Sequence, residues 1–413
     1  MKRKIIVIGG GPAGMMAAIS AASHNQDVTL VEKNSTLGKK LLLSGKGRCN
    51  LTNACDIDSF LERFFGKGQF LRDAFKEFFN NDLIEFFRER GLKLVVERQQ
   101  RVFPEHKRSD AVLVVLKREI EKRKVNVLLR SALKDVTAEK GVVTGVLLEQ
   151  GKHLPAERVI LATGGVSYAF TGSTGEGLTI ARKLGHTIIP LRPGLVPLCT
   201  RQQFCHFLEG LSLRNIRVTF ATETQRLVSR VGEMIFTSYG VSGPLILTHS
   251  GTVADWLSQG RESWIEIDLK PALSTEQLDA RFLREFKEFP RRSIKNMLRS
   301  VLPQRFIPVF LDTACVLADT RVSYIRQQDR RKMIGLLKCF RLDISGTQPI
   351  EEAMVTRGGV ALKEINPRTM ESRLVKKLHF AGEIMDIDAD TGGFNLQAAF
   401  STGYLAGKSA AQN

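Results

Sequence analysis

The chain has no CxxC pair, and its six cysteines (Cys49, Cys55, Cys199, Cys205, Cys315 and Cys339) form no His/Cys group at zinc-ligand spacing. That excludes a disulfide framework and a structural zinc, and points to a reducing compartment. No apolar run approaches the ~20 residues that span a bilayer. The start resembles a leader in its Lys2-Arg3-Lys4, but Gly9, Gly10, Gly11 and Pro12 interrupt any apolar helix there. A cytoplasmic protein is expected. Tryptophan and tyrosine are scarce, with two and four residues, and no aromatic-interleaved platform for bases is read in the sequence. Internal repeats and low-complexity tracts are also missing.

What is present is a globular composition, 43% hydrophobic and 25% charged, over 413 residues, long enough for two or three domains. Basic residues outnumber acidic ones by 61 − 43 = 18. The surplus is spread widely, with clusters at Arg291-Arg292 and Arg330-Arg331-Lys332. A solvated basic surface is the plainer reading; nucleic-acid contact is permitted but not favoured, and no membrane partner is expected.

Lys4–Ile8 is a β-branched run ended by a glycine turn. An Ala-rich helix over 15–23 and an alternating strand over 27–32 follow, which makes a βαβ unit. The turn reads Gly9-x-Gly11-x-x-Gly14. Gly9 permits the tight turn, Gly11 lets backbone approach a pyrophosphate, Gly14 lets helix and strand pack closely, and the helix points free N–H groups at the phosphates. Glu32 ends the second strand, where a carboxylate accepts from ribose hydroxyls and repels a 2′-phosphate.

This motif fits FAD or NAD. The segments 160–165 (ILATGG) and 381–386 (AGEIMD) each read as a strand running into a glycine turn, returns that a simple NAD dehydrogenase does not need. No second GxGxxG occurs. Residues 38–53 form a loop rich in glycine, with Lys39, Lys40 and Arg48 for charge and Ser44, Asn50, Thr52 and Asn53 for hydrogen bonds, suited to a pyrophosphate and ribityl chain. Near the end, Gly392-Gly393 precede a helix whose free N–H groups suit the pyrimidine edge of a flavin. Asp386, Asp388 and Asp390 alternate, but no glutamate completes a calcium loop. Residues 60–90 read as two amphipathic helices, 109–122 as a helix and 154–163 as a strand. From residue 188 the texture turns to short strands over 190–270, then Arg/Lys/Phe-rich helices over 274–335, with strands again over 340–360.

In IVIGGGPAGMMAA, GKKLLLSGKGRCNLTN, RVFPEHKRSDAV, ATGGVSYAFTGSTGEGLTIARKLGH, GEMIFTSYGVSGPLIL, TRGGVALKEINPRTMES and FAGEIMDIDADTGGFNLQAAFSTGYLAG, the chain resembles the BaiN/RdsA-like (YhiN-type) NAD(P)/FAD-dependent oxidoreductases over nearly its whole length. The resemblance implies an α/β fold: a Rossmann-type FAD-binding domain (1–189 and 356–413) of the two-dinucleotide-binding flavoprotein type. An inserted β-rich domain (190–273 and 336–355) would interrupt it and carry a helical insert (274–335). It assigns Gly9, Gly11, Pro12, Ala13 and Gly14 to the pyrophosphate, and Glu32 with Lys33 to the adenosine side. Lys40, Ser44, Gly45, Arg48, Cys49, Asn50 and Asn53 fall on the flavin loop, and Ala132 falls beside the adenine. Thr163, Gly164, Gly382, Glu383, Asp386, Asn395, Leu396 and Gln397 fall where the chain returns to the flavin. Ala169 departs from the pattern, which has proline after Tyr168.

The resemblance implies FAD as cofactor, NAD(P)H as a transient electron donor, and activities ranging from reduction of steroid-like enones to amine oxidation. The expected function is therefore an FAD-dependent oxidoreductase passing hydride to or from flavin N5 and a small organic substrate. The alternative is a non-catalytic or sensory flavin binder whose basic surface touches nucleic acid. His106, Tyr168, His186, His206, Tyr239 and His249 lie near distinctive motifs, and none is assigned as catalytic. His186, at a helix end, is expected to be favoured as a cation by the dipole.

Overall fold

The computed structural model describes residues 2–412. They form two compact units, one built from the chain up to Gly194 and from Ile350 onward, the other from Leu195–Pro349.

The first unit is built on a five-stranded parallel sheet. The opening unit supplies β1 (Lys4–Ile8), α1 (Pro12–Ser23), β2 (Asp27–Val31) and the short α2 (Lys39–Leu43). The sheet is completed by β3 (Asn126–Leu128), β4 (Arg158–Leu161) and β5 (Leu378–Phe380), in the order β5-β4-β1-β2-β3. All four pairings are parallel. Parallel strands buried on both faces need unbroken apolar side chains, and Ile5 to Ile8 and Val159 to Leu161 supply them, all nearly inaccessible.

The last helix, α3 (Phe394–Gln412), lies against α1. Small residues make this possible: a Cβ on Gly403 would stand 2.2 Å from the Ala13 carbonyl oxygen, and one on Gly407 2.2 Å from that of Ala17. The chain's last helix is thereby fixed to its first.

The expected long strand over 154–163 is two strands, His153–Pro155 and β4, which lie in different sheets. Pro155 lacks the N–H that a continuing ladder needs. The two amphipathic helices expected over 60–90 are shorter pieces, among them Arg72–Glu77 and Asn80–Arg88.

In the second unit, Ser212–Ala221, Gly232–Thr237, Gly240–Ser242, Leu198–Thr200, Phe340–Thr347 and Ser263–Asp268 pair antiparallel in that order, and the last pairs again with the first. The sheet closes into a barrel, which leaves those strands no free edge. Residues 244–258, expected to be part of a run of short strands, form a helix instead. Gly243 (φ 95°) turns the chain and Pro244 opens the helix, so Leu245, Ile246, Val253 and Trp256 are buried from one helix face. The helices between Thr275 and Lys338 share one apolar cluster with the barrel, through Phe282, Phe306, Phe310 and Met333.

Candidate functional site

The glycine turn is shaped by three different constraints. Gly9 has φ 103°, and a Cβ there would sit 2.4 Å from the Ala162 carbonyl oxygen. A Cβ on Gly14 would collide with the Gly9 carbonyl oxygen at 1.9 Å. Gly11 differs: a Cβ on it would meet nothing within 4 Å. The space over Gly11 lies at the N-terminus of α1, whose first turn carries no acidic residue. Open space against unpaired helix N–H groups is the shape an anionic pyrophosphate requires.

Glu32 is buried at the end of β2. Its Oε2 accepts from the Gly10 N–H at 2.7 Å, and its Oε1 accepts from the Asn34 N–H at 2.8 Å and Nδ2 at 2.7 Å. A carboxylate offers about four acceptor positions, so one on Oε2 remains for a ribose hydroxyl. Lys33 donates to Thr174 Oγ1 and Glu176 Oε1 instead, at 2.6 and 2.9 Å. Ala132 follows directly on Ser131, whose N–H donates to the Glu32 carbonyl oxygen at 3.0 Å.

The loop after β2, the turn after β4 and the turn after β5 meet at one network. Lys40 Nζ donates to Glu383 Oε2 and to Ser167 Oγ, each at 2.7 Å. Glu383 Oε1 accepts from Ser167 Oγ at 2.9 Å and from the Thr356 N–H at 2.7 Å. Thr356 Oγ1 accepts from the Val166 N–H at 2.8 Å. Beside it, Gly382 passes so close to α1 that a Cβ would be 2.7 Å from Ala13 Cβ. Thr163 Oγ1 is buried with no hydrogen-bond partner among the described residues, and Gly164 adopts φ 74°.

The far end of the loop docks on the start of α3. The Asn50 amide accepts from the Gly393 N–H at 3.0 Å and donates to Thr52 O at 3.2 Å. Asn53 Nδ2 donates to Gly392 O at 3.2 Å and to Gln99 O at 3.0 Å. Asn395 closes the 389–390 turn through its side chain, Leu396 is partly buried, and Gln397 is fully buried with Nε2 donating to Ser401. Asp386 accepts from Lys67 Nζ at 2.6 Å. Burial pushes the Asp388 carboxyl up, while Lys67 and Arg357 pull it the other way. The alternating aspartates therefore face cations of the chain itself, and no metal-ligating group of three is present among the described residues.

Three members of the loop are held by the protein. Ser44 Oγ donates to Leu41 O, Gly45 adopts φ 57°, and Arg48 pairs with Glu97 and lies over the Phe103 ring at 4.2 Å. Cys49 is fully buried, and burial pushes its thiol up to about 12, so it stays protonated at neutral pH. The expectation of a cationic His186 is overturned. Its ring is buried, Nε2 lies 2.8 Å from Ser372 Oγ, and burial pushes its pKa down despite the Ala181 carbonyl and Glu364. Desolvation outweighs the helix dipole.

The open face at Gly11 and the spare acceptor on Glu32 fit a bound FAD, whereas the N–H expected to be free at Gly393 is taken by Asn50 and the space over Gly393 is filled by the Thr52 backbone. A sequence profile described as "HI0933-like protein Rossmann domain" matches residues 3–409. The chain belongs to the HI0933-like family. Within the family it is 33% identical to the 3-dehydro-bile acid delta(4,6)-reductase of Clostridium scindens, over 99% of each chain. It is 29% identical to the ribosomal RNA dihydrouridine synthase of Escherichia coli and 30% identical to that of Haemophilus influenzae, over 97% of this chain and 96% of each relative. Among solved structures, its fold is similar to that of a 3-ketosteroid-delta4-(5alpha)-dehydrogenase from Rhodococcus jostii RHA1. The TM-score is 0.56 at 15% identity, over 100% of this chain and 97% of that one. This HI0933-like protein is an FAD-dependent oxidoreductase with a Rossmann-type nucleotide domain.

Sequence reasoning passed over Ser167, Thr356 and Lys67, although all three belong to these networks. Ser167 and Thr356 carried a weak signal, since each follows or precedes a glycine pair within a distinctive motif. Lys67 carried none; only the fold sets it against Asp386 and Asp388. No helix among the described residues is long and apolar enough to cross a membrane.

Proposed function

We propose that the protein reduces a carbon–carbon double bond conjugated to a carbonyl group, with NAD(P)H as the source of electrons. One observation carries this reading: two relatives aligned along the whole chain share that chemistry on unlike molecules. By their names, one reduces double bonds of a 3-oxo bile acid and the other saturates a uracil ring of ribosomal RNA. FAD, when bound, supplies hydride chemistry at N5. The substrate gains hydride at the carbon β to its carbonyl and a proton at the α carbon.

The chain's own residues hold and orient. The N-terminus of α1 over Gly11 takes the pyrophosphate, and Glu32 takes the adenosine ribose. Lys40, fixed by Glu383 and Ser167, would border the flavin. The residues named for the cofactor in the sequence remain the proposed set, with Ser167 and Thr356 added as positioning residues.

A narrower reading of the substrate, a uracil within RNA, is supported by the two ribosomal RNA relatives; the +18 net charge permits it, because a basic protein gains affinity for a polyphosphate by releasing its counterions. The test is anaerobic: reduce the bound flavin with NADPH or NADH, then add a 3-oxo-Δ4 steroid or unmodified ribosomal RNA. Reoxidation of the flavin, with a product heavier by two hydrogens, is expected. A protein that takes up no FAD, or a reduced flavin that neither acceptor reoxidises, overturns the proposal.

A further inference from the structure

We infer that the helical part of the second unit carries a docking surface for single-stranded RNA, built from residues 289–299 and 320–326. The inference rests on the RNA reading of the substrate and assigns it a surface.

The two segments are far apart in sequence and run side by side. Ser293 and Arg321 form an antiparallel bridge, the Val322 N–H donates to Arg292 O at 2.9 Å, and the Ile294 N–H donates to Thr320 O at 2.9 Å. Ile294 and Val322 are buried in the apolar cluster beneath, so the pair is anchored rather than loose. Together the segments hold Arg291, Arg292, Lys295, Arg299, Arg321 and Arg326 and no acidic residue. Of these, only Arg326 has a carboxylate partner among the described residues, Asp329 at 3.1 Å.

Aromatic side chains stand among these cations. Tyr324 is 72% exposed, and Phe289 is 37% exposed with the Arg292 guanidinium 3.7 Å from its ring centroid. A tyrosine held this open on a rigid turn offers a flat face at little entropic cost. Guanidinium groups for phosphates beside a ring for a base are what a single strand needs and a duplex does not. An anionic membrane also takes basic residues beside interfacial aromatics; the RNA reading of the substrate selects the single strand, and the vesicle arm of the test separates the two.

The test measures binding of a fluorescein-labelled oligouridylate by anisotropy across a salt series, using the flavin-loaded full chain. Arg291→Glu with Arg321→Glu is expected to weaken binding at least about tenfold. It should also flatten the slope of log affinity against log salt by about 1.4, since each single-strand phosphate left without its arginine removes about 0.7. Tyr324→Ala is expected to weaken binding about fivefold or more. Both variants should keep their flavin absorbance and steroid-enone reduction. Lys122→Glu with Lys134→Glu, in the other unit, removes equal charge and should leave the affinity near wild type.

Equal binding by wild type and the arginine variant overturns this inference and leaves the proposed chemistry standing. An equal loss in the Lys122/Lys134 variant also overturns it, because the attraction would then be diffuse. A wild type that reduces the enone but binds no RNA, or binds phosphatidylserine vesicles instead, removes the RNA reading and this surface with it.

Discussion

Lys40 and Glu383 stand 343 positions apart in the chain, and Lys40 Nζ lies 2.7 Å from Glu383 Oε2. The pair ties the loop after β2 to the turn after β5, with Ser167 and Thr356 completing the contact. Each side chain is about a fifth exposed, so the charges alone contribute little to stability, at most about 1 kcal/mol. The acceptor role of Glu383 matters more, since it satisfies the Thr356 N–H and the Ser167 hydroxyl.

Glu383→Ala is therefore expected to lose about 1–3 kcal/mol, read as a lower urea midpoint, together with weaker retention of flavin on dialysis. Glu383→Gln keeps an acceptor for Thr356 and should lose less. If the alanine variant retained flavin and stability in full, the network would not be a support of the site.

Gly9 and Gly11 should respond in opposite ways. Gly11→Ala places its methyl in open space at an ordinary φ of −79°, so stability without flavin should change by less than about 0.5 kcal/mol while flavin content falls. Gly9→Ala forces φ 103° on a residue with a side chain and drives it into the Ala162 carbonyl, costing at least about 1–3 kcal/mol. Circular-dichroism melts beside the ratio of flavin to protein absorbance separate the two. Matched losses in both variants would contradict the division of roles.

The α1–α3 contact predicts a third result. Gly403→Val must push the helices apart, because its Cβ lies against backbone that cannot rotate away. Overpacking of this kind costs about 1–3 kcal/mol or more, and a thermal melt should show it. A melt unchanged from wild type would mean that the helices do not meet there.

His379 sets an acid limit. It is fully buried on β5; burial, then the Arg158 charge, push its pKa from 6.5 down to about 3, against the opposing pull of the Lys377 and Val159 backbone. Between those values the unfolded chain binds a proton that the folded protein refuses, so stability falls as pH drops through that window. His379→Leu should flatten the acid limb of a plot of stability against pH by the slope of one proton, measured by urea unfolding from pH 8 to pH 4.5. Parallel curves for the two proteins would show that His379 is not buried in its neutral form.

Much of the first unit was legible because its constraints are local. The βαβ opening is written in β1, the glycine turn and the alternation of β2, each decided by neighbours within a few residues. Helix 109–122 was readable for the same reason, with its apolar residues recurring at helical spacing. The reading failed where partners are distant. Residues 154–163 looked like one strand because nothing in them states that Pro155 pairs in one sheet and Arg158–Leu161 in another. Residues 244–258 looked like strand texture until the barrel surface gave their apolar side a place to pack. His186 looked cationic because the helix end was visible in the sequence and its burial was not.

The sequence by itself determined the nucleotide cradle, since glycines at 9, 11 and 14 answer to local sterics and to the helix that follows them. Tertiary structure alone decided which distant residues share a surface. Glu383 finds Lys40, Lys67 finds Asp386, and Ser293 pairs with Arg321 only once the chain is closed. The reason is physical: backbone preference acts over a few residues, whereas burial and charge pairing depend on what the fold brings within a few ångströms.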